Sequence, residues 1–332
     1  MLILGWWGRL VACPAVMLCL TGCGRYADFS LPAPAAAQRV NSFDWKADPS
    51  PVLSNAGAVD VLNPSVVLRD GVYYNLYSAY DGKAWHTDLA TSPDGMAWRN
   101  QGRMLSPQPD TWEGSYIAAN GSALFDSGEF LYWYVAGPRE KPGIGLARST
   151  DGKAWRKNPT PVLESGPRGS WDERGVADPV VMRIGDTLYM YFLGQDRARR
   201  QRLGLARSTD GSHWQKLRSN PVLEGGPDGS FDERLGEPAI WLSHGYYWMI
   251  YTGRDIREYR RLGLARSSDG VVWTKLPGSF AGGEQWNAKV LCDPSVLVES
   301  NFIRVWFGGG DVASPDENLH GQIGIAKLVP RL

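Results

Sequence analysis

With 35 basic and 35 acidic side chains in 332 residues, the chain has no net charge to draw it to nucleic acid or to an anionic surface. Its 15 Trp and 39 Gly, with 11% aromatic residues, argue against a helical bundle and suit many short strands joined by tight turns. Only Cys292 of the four Cys lies beyond residue 23, which excludes a disulfide framework or a Cys-based zinc site and leaves a buried, inert thiol as the expectation.

In chain order, Arg9 precedes an apolar run, Leu10 to Leu20, too short to span a bilayer and of the size of a secretory signal core. The run ends in Leu20-Thr21-Gly22-Cys23, which resembles the bacterial lipobox. That resemblance implies a signal peptide over residues 1–22, lipidation of Cys23, and anchoring in the bacterial envelope, at the outer membrane or cell surface, with the lipid as the one membrane contact. Residues 23–40, rich in Ala and Pro, read as a tether, and residues 41–332 as one domain.

The domain is a repeat. Ser-x-Asp-Gly-x-x-Trp occurs at Ser92–Trp98, Ser149–Trp155, Ser208–Trp214 and Ser267–Trp273, with the serines 57, 59 and 59 residues apart. Asp-Gly between apolar runs is a hairpin signal, because Gly accepts positive φ and Asp caps its own turn. Each period reads as four short antiparallel strands. The units open at Asn63-Pro64, Asn120-Gly121, Asp178-Pro179, Glu237-Pro238 and Asp293-Pro294, at spacings of 57, 58, 59 and 56. Five such units predict an all-β fold, a five-bladed β-propeller. The fifth unit ends after its third strand, and Phe43–Lys46 has the pattern of a missing outer strand, so the N-terminal strand is expected to close the ring.

In such a ring the first strand of each unit lines the axis. Asn63, Asn120, Asp178, Glu237 and Asp293 then converge on one face, rimmed by the loops between second and third strands. Two of these loops are basic, one carrying Arg197, Arg199, Arg200 and Arg202, the other Arg254, Arg257, Arg260 and Arg261. Guanidinium forks suit phosphate, sulfate or uronate oxygens, with solvated surface as the plain alternative. Trp85 and His86, in the loop of unit one, could offer an aromatic face to a ligand or pack between units. Trp112-Glu113, Trp171-Asp172, Phe231-Asp232 and Trp286-Asn287 recur before the inner strands and read as structural. Asp60 reads as a turn cap rather than a displaced base. Four His without ligand spacing make zinc improbable.

Carboxylates opening the inner strands of five four-stranded units resemble the propeller glycosidases of glycoside hydrolase families 43 and 32. The resemblance implies a glycosidase acting on an extracellular oligosaccharide or polysaccharide, with Glu237 as general acid and Asp178 as the orienting, pKa-tuning carboxylate. Asn63, Asn120, Asp293, Trp85, His86, Arg197, Arg200, Arg257 and Arg260 are then expected to bind substrate. No cofactor is implied beyond an axial calcium, for which Asp293 and His320 are candidates, and the protein is expected to be a monomer. The family's base is an Asp in unit one, where this chain has Asn63, and an amide cannot take a proton from water. Asn-Pro at that place is similar to the mannoside phosphorylases and mannosidases of family 130, in which phosphate can replace water. The alternatives to hydrolysis are therefore phosphorolysis and glycan binding without turnover.

Overall fold

The computed structural model describes residues 24–54 and 57–331; the expectations for the signal segment and for Cys23 lie outside the described residues. Among these residues every regular element is a strand, apart from a single 3₁₀ turn at Gln285–Asn287. Unit one comprises Asp60–Arg69, Val72–Tyr80, Trp85–Ser92 and Arg99–Leu105. Unit two comprises Ala118–Asp126, Glu129–Ala136, Gly143–Ser149 and Arg156–Lys157, and unit three Gly175–Ile184, Thr187–Gln195, Gln201–Ser208 and Gln215–Leu217. Unit four comprises Arg234–Ser243, Tyr246–Arg254, Arg260–Ser267 and Thr274–Lys275. Unit five comprises Val290–Val298, Ile303–Gly310 and Gln322–Arg331, and Ser42–Ala47 pairs antiparallel with the last of these. Units four and five are joined into one sheet by a single parallel bridge pair, Arg260 with Val290. Each inner strand neighbours the next, and that of unit five neighbours that of unit one.

The second strands read as continuous apolar runs rather than as alternating patterns. Phe130–Ala136 and Tyr247–Gly253 are buried at every position, because each sheet is covered on both faces by its neighbours.

The repeated turn ties the units together. In all four copies the Ser Oγ accepts the Gly N–H at 2.9 Å, and the Asp Oδ1 accepts the two following N–H groups. The glycines hold φ between +72° and +76°, which a residue with a Cβ rarely adopts. The carbonyls of two of them accept hydrogen bonds from aromatic side chains of the preceding unit: Trp133 Nε1 to Gly211 at 2.8 Å and Tyr191 Oη to Gly270 at 2.6 Å. Trp306 of unit five donates likewise to Gly95 of unit one at 2.8 Å, so the last unit is bonded to the first. A methyl group at Gly95 or Gly211 would lie 2.8 Å from those indole rings.

Two features depart from expectation. The outer strand of unit one has seven residues and two bulges, whereas the outer strands of units two to four have two or three residues. The tether expected at residues 23–40 is, over the described residues 24–40, packed on the body. Tyr26–Ala27 pairs parallel with Lys216–Leu217, and Phe29 sits between Arg207 and Tyr189. Leu31 is buried against Tyr191 and Gly270, the Pro32 carbonyl accepts from Tyr247 Oη at 2.6 Å, and Val40 is buried in the core between units four and five. The Ala and Pro content suggested a solvated linker, but the few large apolar residues within it are what the surface of units three and four takes up.

Candidate active site

The five residues that open the units share one backbone device. Each inner strand has a register shift at this point, and Asn63, Asn120, Asp178, Glu237 and Asp293 all have positive φ, at 49°, 50°, 47°, 30° and 52°. A bulge re-aims a side chain, and Asn and Asp tolerate the left-handed region through local hydrogen bonds. Pro follows in four units; it has no N–H to lose from the ladder where pairing is interrupted. In unit two Gly121 takes that place, since a Cβ there would meet the Trp133 carbonyl at 2.3 Å. Glu237 lacks the local compensation of Asn or Asp, so its φ carries strain of about 1–3 kcal/mol.

Two residues on, serine hydroxyls stitch neighbouring strands together. Ser65 Oγ accepts from Ala123 N at 2.7 Å, Ser122 Oγ from Val181 N at 3.0 Å, and Ser295 Oγ from Val66 N at 3.0 Å.

The five side chains line one cavity of about 130 Å³, with Ser65, Ser122 and Ser295 and the apolar Val66, Val181 and Ile240 also in its wall. Asp293 Oδ2 accepts the Asn63 N–H at 3.2 Å and the Cys292 thiol at 3.0 Å, and its N–H is held by Thr252 Oγ1. Asn120 is fixed by Ser78, whose hydroxyl donates to its carbonyl oxygen at 2.9 Å, and its amide favours the charged form of Asp178. Burial, followed by the charges of Glu237 and Asp293, pushes the Asp178 carboxyl well above the carboxylate range. Burial and then Glu237 raise Asp293 to about 7. Asp178 and Asp293 are both raised because burial and neighbouring negative charge disfavour their ionised forms.

Two arginines stand beside these acids. Arg260 is 5% exposed, pairs with Asp316, and is close enough to Glu237 and Asp293 to feel their charges. Arg254 lowers the Asp178 pKa and bonds Glu258 at 3.2 Å and Asp316 at 3.5 Å.

The other expected binding residues are not brought to the cavity. Trp85 is buried against Tyr80, Leu62 and Ile117, and His86 is buried with Nε2 on Asp81 at 2.8 Å and Nδ1 on Ser106 at 3.0 Å. Both are core residues, because the strand Trp85–Ser92 starts where the sequence suggested a loop. Arg200 and Arg257 are exposed and turned onto Asp196 and Asp255 of their own loops, and Arg197 is exposed. Of the four predicted arginines, only Arg260 reaches the carboxylates. His320 pairs with Asp311 and does not line the cavity with Asp293, so the two calcium candidates are apart. Among the described residues no group of three or more His, Cys, Asp or Glu could hold a metal ion. Asp60 is fully buried and accepts the N–H groups of Leu319 and Gly321, so it ties the first strand of unit one to a distant loop of unit five rather than capping a local turn as expected. The recurrent acids are structural too. Glu113, Asp172 and Asp232 are buried, paired with Lys157, Lys216 and Lys275 of the outer strands.

Sequence reasoning missed Asp316, Glu317, Tyr116 and Arg139, which contacts of the loop between Gly310 and Gln322 bring into one network. Glu317 accepts from Tyr116 Oη at 2.7 Å and pairs with Arg139 at 2.8 Å. No repeat marks these residues, so no periodic signal could have found them.

The profile of the glycosyl hydrolases family 32 N-terminal domain matches residues 65–219. The chain is 26% identical over 236 residues to the uncharacterized protein MT1551 of Mycobacterium tuberculosis, covering 64% of this chain and 75% of that one. It is 28% identical over 136 residues to a 1,2-beta-oligomannan phosphorylase of Thermoanaerobacter sp., covering 38% and 44%. A solved glycoside hydrolase superposes with a TM-score of 0.70 at 18% identity over 90% of this chain and 92% of that one. The chain has the all-β fold of the propeller-type glycoside hydrolases.

Proposed function

We propose that the protein is a five-bladed propeller enzyme, closed by Ser42–Ala47, that cleaves a glycosidic bond in an extracellular glycan. The observation that supports this reading is the convergence of Asp178, Glu237 and Asp293 on one axial cavity, with two of the three carboxyls pushed upward by burial and mutual charge. Glu237 is the proton donor to the leaving oxygen: it is the longest of the five side chains and is held in a strained conformation that aims it at the axis. Asp178, whose charged form the Asn120 amide favours, orients Glu237 and the sugar and tunes the charge of the site. Arg254 and Arg260 replace Arg197, Arg200 and Arg257 as the guanidiniums suited to an anionic group beside the reacting sugar.

The nucleophile divides the two readings. In cyclic order unit four lies opposite units one and two, and both offer amides, Asn63 and Asn120. In hydrolysis the remaining carboxyl is Asp293, whose pKa near 7 suits a base at neutral pH. Phosphorolysis needs no base, and the amides, the two arginines and the similarity to an oligomannan phosphorylase favour it.

A panel of oligosaccharides incubated with and without inorganic phosphate tests both readings. Sugar phosphate formed only with phosphate supports phosphorolysis, and free sugar formed without it supports hydrolysis. Binding without product in either condition means a glycan-binding protein, and no binding at all rejects the reading. The envelope location is part of the proposal: Cys23→Ser should move the protein from the membrane to the soluble fraction.

A further inference from the structure

The loop that leaves unit five between Gly310 and Gln322 makes contacts its length alone does not require. Asp316 pairs with Arg260 and Arg254 of unit four. The next residue, Glu317, bonds Tyr116 and Arg139 of unit two. Units four and two are not neighbours in the cyclic order, so the loop spans the arc over units four, five, one and two. Its root is fixed: Leu319 is fully buried among Leu62, Trp85 and Ile117, and Asp60 accepts the N–H groups on either side of His320. Between units two and three, Glu140 pairs with Arg174 at 2.7 Å and Arg199 at 3.6 Å.

The open side is over units three and four. A groove of about 630 Å³ runs there, lined by Arg199, Arg202, Arg234, Arg254, Ile256 and Glu258. Arg254 lines this groove, and its charge also acts on Asp178 of the axial cavity. The axial cavity holds about 130 Å³ against about 630 Å³ for the groove, so the room for further sugars lies in the groove.

We propose that residues 311–320 form a strap which makes the site one-ended, so that it takes the terminus of a glycan chain, led in along the groove between units three and four, and refuses chain interiors. Asp316 and Glu317 are the positioning residues that hold the strap. The inference rests on the reading of the axial cavity as a glycan site and deepens it by naming the substrate class as chain ends.

An array of oligosaccharides, each immobilised once through its reducing end and once through its other end, tests this with the full-length protein. Wild type should prefer one orientation by about tenfold or more. In a double variant, Asp316→Asn with Glu317→Gln, the preference should shrink to within about threefold, and oligosaccharides immobilised at both ends should become ligands. A second variant with residues 312–318 replaced by a short Gly-Ser link should behave alike. Near-wild-type melting temperatures and far-ultraviolet spectra identify the folded variants on which the comparison is made. Equal wild-type binding in both orientations overturns the strap while leaving the glycan site intact, as does an orientation preference that survives in both variants. Absence of wild-type binding to every oligosaccharide overturns the glycan site and the strap together.

Discussion

The roles proposed for Glu237 and Asp293 rest on side chains that one backbone device, a bulge with positive φ, brings to the same cavity. Glu237→Gln keeps the shape but has no proton to give, and a general acid contributes roughly 10²–10⁴-fold. Turnover of a natural glycoside should fall by that order, an aryl glycoside with a good leaving group should fall far less, and sugar affinity should hold. Equal losses on the two substrates would remove Glu237 from the acid role. Asp293 is raised to about 7 from an ordinary value of 3.8 by burial and by Glu237. Between these values the folded protein holds a proton that the unfolded chain has released, so this group makes stability fall as pH rises from about 4 to about 7. Asp293→Asn should flatten that fall and raise the melting temperature at pH 8 relative to wild type. Melting curves at pH 5 and pH 8 read both effects. A parallel shift of the two proteins would mean that Asp293 is not the group responsible.

At the level of elements, the N-terminal segment is the instructive case. Residues 24–40 run from the outer strand of unit three across unit four to the edge of unit five, and Leu31 is their buried anchor, 5% exposed. Leu31→Ala should cost about 2–5 kcal/mol, as for other buried Leu truncations, because the cavity left opens beneath the Gly270 turn. Chemical denaturation measures this, and a loss under about 0.5 kcal/mol, the scale of surface substitutions, would return the segment to the role of a tether. The buried Lys–acid pairs make the same point about repetition. Lys157–Glu113, Lys216–Asp172 and Lys275–Asp232 each bind the outer strand of a unit to the connection that enters the same unit, in units two, three and four. Removing Lys216 alone would strand Asp172 in the core and destabilise by about 3–5 kcal/mol.

Across the whole molecule, stability depends on how the last unit is completed. Phe43 packs edge-on to Trp241 and Trp248, and Trp45 stacks on Phe280 beside Phe307, so Ser42–Ala47 contributes to the core of units four and five as well as to the edge of Gln322–Arg331. Deleting residues 24–47 should expose that edge, an invitation to pairing with other chains. The truncated protein is expected to melt at a lower temperature and to aggregate at concentrations where the full chain does not, as light scattering would record. An unchanged melting temperature would mean that the ring does not need this strand.

The sequence by itself determined what repeats. The period, the Ser-x-Asp-Gly turn, the five unit openings and the pattern of Phe43–Lys46 are local chemistry written several times, and each copy carries the same turn and strand signals. Asn63, Asn120, Asp178, Glu237 and Asp293 were legible for that reason, since equal spacing puts equal positions at one place on a ring. What occurs once was decided only by the tertiary structure. Trp85 and His86 became core because neighbouring units cover them, and Arg260 rather than Arg200 joined the acids because it lies on a strand while Arg200 is held by Asp196 of its own loop. Glu317 meets Tyr116 across 201 residues of chain. Such a contact depends on the path of a loop over its neighbours, which local propensity and spacing do not encode.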